Sequence, residues 1–253
     1  MSWVSPDESV DGLGAALDTR APLLSALADG PKRQRTLREE LDVARSTAYK
    51  GLRELTELGL VRETDDGYAL TASGRLAAQT HATYRERLER LTAARPVLAS
   101  VPADAGVPPA FLEEATVVTA DRHAPERPLS TFDSLADDAD EIRSLSPAAV
   151  PRFMPDLHEA VEAGYHRGIV VERPAVEALR ESYDAFDEAV AAGLEVHVLE
   201  EPLAFGLTVF DDEGAALTTY DDGVSGLLHS TADGAVAWAR GTYERYRERG
   251  ERL

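Results

Sequence analysis

The chain has 253 residues, room for two domains of ordinary size, and 43% of them are apolar, enough for packed cores. The absence of cysteine excludes disulfides, thiol redox sensing and thiolate metal sites, and no apolar run approaches the roughly 20 residues that span a bilayer. No basic-then-apolar leader opens the chain, so a cytoplasmic protein without membrane contact is expected, and a formal charge of −20 means that any site for a polyanion has to be a local exception.

Residues 1–19 read as an N-terminal extension with a weak apolar pattern, and residues 20–75 as a winged helix-turn-helix. Residues 22–29, with Leu23, Leu24 and Leu27, predict a first short helix ended by Gly30 and Pro31. Residues 36–41 predict a second, with Thr36 placed to cap it and Glu39 at capping-box spacing. Asp42-Val43-Ala44 makes the turn, since Asp tolerates the left-handed conformation, and Ala44 is a poor cap for the helix that follows.

That third helix, about 45–58, organises the reading. Ala48, Leu52, Leu55 and Leu58 recur at three- and four-residue spacing and form one apolar stripe. The opposite side carries Arg45, Ser46, Thr47, Tyr49, Lys50 and Arg53, cations, hydroxyls and a ring crowded into the first turns. The N-terminal part of the second helix of such a motif is what reaches base edges in the major groove. Residues 60–64 and 68–71 predict two strands around Asp66-Gly67, a strong hairpin signal. The tip is acidic, so Arg62 and Arg75 at its base are the better candidates for phosphate contacts. From Arg20 to Arg75 ten basic residues face nine acidic ones, and both lysines of the chain, Lys32 and Lys50, lie there. The acidity of the rest therefore stops at the proposed reading head.

Thr71 is placed to cap a long helix reaching about Arg95, with Pro96 as its stop and Leu76, Thr83, Tyr84, Leu88, Leu91 and Ala94 near one face. Residues 76–98 are taken as a linker and dimerisation helix. Residues 97–109 are a linker by composition, rich in proline. From 110 to 253 a mixed α/β sheet domain is expected. Strands are predicted at 115–120, 140–145 and 167–172, helices at 151–163 and 174–192, further strands at 194–200, 203–210, 215–220 and 226–230, and a last helix from Asp233 with Val236, Ala239, Tyr243 and Tyr246 inward.

The segments PLLSALADG, LREELDVARSTAYKGLRELTELGLV and YALTASGRLA, then VVTADRHAPERPL, EPLAFGLTVFDDEGAAL and AVAWARGTYERYRERG, resemble haloarchaeal winged-helix transcription regulators. The second half is similar to the C-terminal domain of the methanogenesis filament regulator of methanogenic archaea. The strongly acidic composition agrees with a protein of a salt-accumulating archaeon. The resemblance implies DNA-binding control of transcription, with the second domain in sensing or assembly, and it brings no particular ligand.

Catalysis is not expected. Related archaeal regulators carry domains similar to phospholipase D, whose chemistry needs a histidine and a lysine in one motif, and no lysine follows Lys50. His158, Glu162 and His166 are spaced by four, but Gly164 interrupts them and they read as surface residues. Ser130, Ser144 and Ser146 have no nucleophile-elbow context. His123, Arg127 and Arg152 stand near predicted strand ends, where ligands commonly sit, and each alone reads as an ordinary surface residue.

The expected DNA-contacting set is thus Arg45, Ser46, Thr47, Tyr49, Lys50, Arg53 and Arg62, with no catalytic residue, no metal and no cofactor. The expected partners are double-stranded DNA, a second copy of the chain in a homodimer, and a small-molecule effector of unspecified identity. The alternative is an interaction protein that uses the winged helix to dock on transcription or chromatin proteins.

Overall fold

A computed structural model describes residues 10–220 and 224–253, so residues 1–9 of the predicted extension lie outside the described residues. The chain divides into two compact units, Met1–Leu88 and Glu89–Leu253.

The first unit runs α1 (Val10–Ala26), α2 (Gln34–Glu40), α3 (Arg45–Glu57), β1 (Val61–Thr64), β2 (Gly67–Leu70) and the start of α4 (Ala72–Leu98). Its core is Leu23, Leu24, Leu27, Leu37, Leu52 and Leu55, closed by Leu60 and Val61. Helix α1 starts twelve residues before the predicted Pro22 and carries that proline inside it. Proline in a helix interior costs a hydrogen bond, but Leu13 and Leu17 pack against the same core and Ala16 is buried, which offsets the loss. Helix α2 begins at Gln34 with Arg33 at its cap, so Thr36 lies inside the helix and the capping box expected there does not form. Asp42 takes a left-handed φ of 49°, as the turn requires. Strands β1 and β2 pair antiparallel, and Lys32 adds a bridge to Tyr68 through two main-chain hydrogen bonds of 2.9 Å.

Thr71 caps α4 as expected, its hydroxyl accepting from Gly74 N at 3.0 Å and donating to Gly59 O at 2.7 Å. The helix does not stop at Pro96, since proline removes only its own N–H and the last turn continues to Leu98. Ala94 and Val97 are buried and Ala77 and Ala78 partly so, whereas Leu76, Tyr84 and Leu91 are 66%, 53% and 39% exposed.

In the second unit β3 (Thr116–Thr119), β4 (Glu141–Ser146), β5 (His166–Glu172), β6 (Glu195–Leu199), β7 (Gly206–Phe210), β8 (Gly214–Tyr220), β9 (Val224–Ser230) and β10 (Glu251–Arg252) form one sheet in the order β10-β6-β5-β4-β7-β8-β9-β3. β4, β5 and β6 are parallel neighbours joined by helical crossovers, and the remaining pairs are antiparallel. The helices are α5 (Arg127–Asp137), α6 (Met154–Glu162), α7 (Arg173–Ser182), α8 (Phe186–Ala192) and α9 (Asp233–Arg247). Two differences from the sequence reading stand out. Helix α5 was not foreseen. The single helix predicted over 174–192 is two, because Tyr183 leaves helical geometry at φ −141° and its hydroxyl meets His158 Nδ1 at 2.9 Å.

Alternation along the strands sorts side chains to two faces. One face carries Leu145, Val170, Leu199, Leu207, Leu217 and Leu228 against Val236, Ala239 and Tyr243 of α9. The other carries Ile169, Val171, Val196 and Val198 under α6, α7 and α8, and separately Ile142, Phe210, Ala216 and Leu227 beside α5. The sheet is closed at its margins by short strands, four residues in β3 and two in β10.

Candidate nucleic-acid interface

Helix α3 is held from behind. Ala48, Leu52 and Leu55 are at most 1% exposed, and Gly51 lets α1 approach so closely that a Cβ there would meet Leu23 Cδ1 and, at 3.2 Å, Arg20 Cδ. Arg20 Nε donates to Glu54 at 2.8 Å and clamps α1 to α3 from the side. The rest of the helix faces out. Arg45, Ser46, Thr47, Tyr49, Lys50 and Arg53 are all exposed, with Tyr49 at 56%. These are the six helix residues singled out in the sequence, and the fold brings them onto one open surface.

The surface is not uniformly free to bind. Arg53 donates to Glu57 at 2.7 Å, and the carboxylate raises the guanidinium's pKa through that hydrogen bond and its charge. A phosphate at Arg53 would have to displace an exposed carboxylate, a weak competitor in water. The first turn of α3 has Ala44 at its cap and no side-chain cap bond; Thr47 N donates to Ala44 O at 3.0 Å, and the N–H groups of Arg45 and Ser46 are the ones placed for an incoming acceptor. Arg62 on β1 is exposed at the base of the hairpin, while the exposed Asp65 and Asp66 make its tip acidic. Lys32 points its charge elsewhere, pairing with Glu40 at 2.7 Å.

The sequence reading passed over two residues. Gln34 sits at the first turn of α2 with its amide donating to Arg45 O at 3.4 Å, beside the start of the polar face. Arg33 is exposed and shares a shallow cleft with Glu63, Thr64 and Tyr68. Their signal was present in the run Lys32-Arg33-Gln34-Arg35, but the misplaced start of α2 hid it.

The other residues weighed in the sequence are not gathered. His158 meets Tyr183 and, at 3.8 Å, Glu162, whereas His166 lies on β5 near Glu141 and Glu195, so the spaced set is not one site. Among the described residues no cluster of His, Asp or Glu could hold a metal ion. Arg152 pairs with Asp133 at 2.6 Å, and His123 and Arg127 are exposed. No helix among the described residues is long and apolar enough to cross a membrane.

Residues 9–93 match the family described as the HVO_A0261 N-terminal domain, and residues 125–249 match the middle domain of the methanogenesis regulatory protein FilR1. No curated protein matches. Among solved structures, that of TrmBL2, an archaeal chromatin protein with a novel mode of DNA binding, is similar at 18% identity, with 97% of this chain and 100% of that one covered and a TM-score of 0.45. Nuc, a phospholipase D family member from Salmonella typhimurium, is similar at 14% identity over 55% of this chain and 99% of that one, with a TM-score of 0.46. The motifs of the second half and the match over it agree: the chain carries a stretch of the FilR1 middle-domain family behind a stretch of the HVO_A0261 N-terminal-domain family.

Proposed function

We propose that this protein is a sequence-specific DNA-binding regulator of transcription, acting in the cytoplasm as a homodimer, with α3 in the major groove and the second unit sensing a small molecule or assembling the complex. The observation that carries the reading is the division of α3 into a buried leucine stripe and an open face of cations and hydroxyls. Arg45, Ser46 and Thr47 stand at the end of the helix that enters the groove first, Tyr49, Lys50 and Arg53 follow, and Arg62 takes a phosphate beside it. Regulation is the role that the FilR1 family name gives. Pairing through α4 is supported by Leu76, Tyr84 and Leu91, large apolar side chains left exposed within one side of a helix.

Selection of genomic duplexes bound by the full chain, followed by titration of the best one, tests this reading. Arg45→Ala and Lys50→Ala should each weaken binding by about 1–3 kcal/mol, roughly 5- to 150-fold. Unchanged affinity in both variants would refute the assignment of the face. The acidic hairpin tip favours a second reading, a head that docks on transcription or chromatin proteins. That reading predicts no duplex selected above random sequence.

A further inference from the structure

The two apolar clusters that share one face of the large sheet do not merge, and the reason lies in the residues between them. Side chains on that face come from alternate positions of β4, β7 and β8, where the pattern set by β5 and β6 would place aliphatic residues. Ser144, Ser146, Thr208, Thr218 and Tyr220 stand there instead. Above this hydroxyl floor is a cavity of about 460 Å³, within the range of small-ligand pockets, walled by Phe132 of α5 and by Phe153 and Leu157 at α6.

The floor keeps hydrogen-bonding capacity in reserve. Ser144 and Thr208 share one bond at 2.9 Å, Thr218 donates to the Tyr220 hydroxyl at 3.2 Å, and Ser146 donates to Ala148 O at 2.8 Å. A hydroxyl has one proton and two lone pairs. With the Tyr220 hydroxyl bonded to Ser146 as well, these bonds leave one proton of the Ser144–Thr208 pair and several lone pairs for a guest. Gly206 makes the arrangement possible, because a Cβ there would meet the Thr218 hydroxyl and come within 2.8 Å of the Tyr220 ring.

Charge narrows the guest further. Among the described lining residues the only cation is Arg167, and its guanidinium is taken by main-chain oxygens, Asp140 O at 2.7 Å, Ala139 O at 2.9 Å and His166 O at 3.0 Å. The exposed lining residues Asp156 and Glu159 give the mouth a negative sign, and Asp133 beside them is already paired with Arg152. An anion would meet carboxylates on entry and only that engaged guanidinium inside.

We propose that this cavity is a binding site for an uncharged, mainly apolar metabolite that carries one or two hydroxyl, carbonyl or amide groups. It rests on the sensing half of the function proposed above and gives that half its ligand class. The test uses the full chain and two dyes with the same arylamine core, uncharged N-phenyl-1-naphthylamine and the anionic 1-anilinonaphthalene-8-sulfonate. The uncharged dye should bind saturably, one per chain, and the sulfonate at least about tenfold more weakly.

Ala160→Trp, which fills the cavity from α6, should abolish binding of the uncharged dye, and Tyr220→Phe should weaken it about fivefold through one lost hydroxyl. Circular dichroism checks that each variant folds, and Tyr220→Phe decides alone if Ala160→Trp does not. Absent saturation, a sulfonate that binds as tightly as the uncharged dye, or folded variants that bind like the parent chain would overturn the site. Duplex titration with and without the uncharged dye separates the two claims: dye binding with unchanged duplex affinity upholds the site and overturns only the sensing reading.

Discussion

Gly74, in the first turn of α4, is a position where two well-understood effects oppose each other. Alanine is the better helix former by about 1 kcal/mol, so propensity alone predicts that Gly74→Ala stabilises the first unit. The fold predicts the reverse. A Cβ at Gly74 would overlap the Leu60 carbonyl oxygen and lie 2.8 Å from its carbon, and backbone cannot step aside as a side chain can. Relief requires α4 to separate from the segment before β1, at the expense of the bonds from Thr71 N to Leu60 O at 2.9 Å, and from the Thr71 hydroxyl to Leu60 O at 3.1 Å and Gly59 O at 2.7 Å. The hydroxyl shares its one proton between the two carbonyls, so at about 0.5–1.5 kcal/mol each the two donors at Thr71 outweigh the propensity gain and leave a net loss of about 1 kcal/mol. Gly14→Ala in α1 is the control, since nothing lies within 4 Å of the point where its Cβ would stand and only the gain should show. Hydrogen exchange followed by mass spectrometry reads the two units separately. Amides of α3 and the hairpin should exchange roughly fivefold faster in Gly74→Ala, with β7 and β8 unchanged. Equal or slower exchange in α3 would refute the steric reasoning.

His229 is depressed below the ordinary histidine value of 6.5 by burial. The unfolded chain therefore takes up its proton first as pH falls, so stability is present above that value and declines as the pH drops through it; His229→Gln should flatten the fall of melting temperature between about pH 7 and pH 5. Arg167→Met should cost about 2–4 kcal/mol in urea unfolding, because it leaves the carbonyls of Ala139, Asp140 and His166 without their shared donor. Leu76→Glu combined with Leu91→Glu should turn a dimer into a monomer in sedimentation analysis while leaving far-ultraviolet circular dichroism unchanged, and a wild-type chain that sediments as a monomer would remove the pairing role of α4.

The readable parts of this chain were those whose cause is local. The hairpin follows from Asp66-Gly67, the turn before α3 from Asp42, and the split of α3 from the spacing of Ala48, Leu52 and Leu55. Helix α5 was hidden because its run of Pro, Ser, Thr and Asp has poor intrinsic propensity, and it is held by Phe132, Leu135 and Ala136 packing beside Phe210. Along α4 the small residues Gly74, Ala77, Ala78 and Ala94 mark where the helix packs, while Leu76, Tyr84 and Leu91 of the expected seam stay exposed. The polar side of α3 was legible residue by residue. The hydroxyl floor was not, since its members lie 64 residues apart in the Ser144–Thr208 pair and only strand register brings them together.

The short margins of the large sheet bear on how the protein behaves when crowded. Its interior strands bury runs as continuous as all five residues of β7, the kind of sequence that another chain could extend into a fibre. Beside β6 the two-residue β10 occupies the outermost main-chain groups with a glutamate and an arginine, Glu251 and Arg252, an arrangement that discourages strand addition from outside. Gly250 gives that seal its closeness, because a Cβ there would stand 2.9 Å from His197 Cβ. A bulky side chain at this hinge would prise β10 away, bare the β6 margin and raise aggregation, read as growing light scattering.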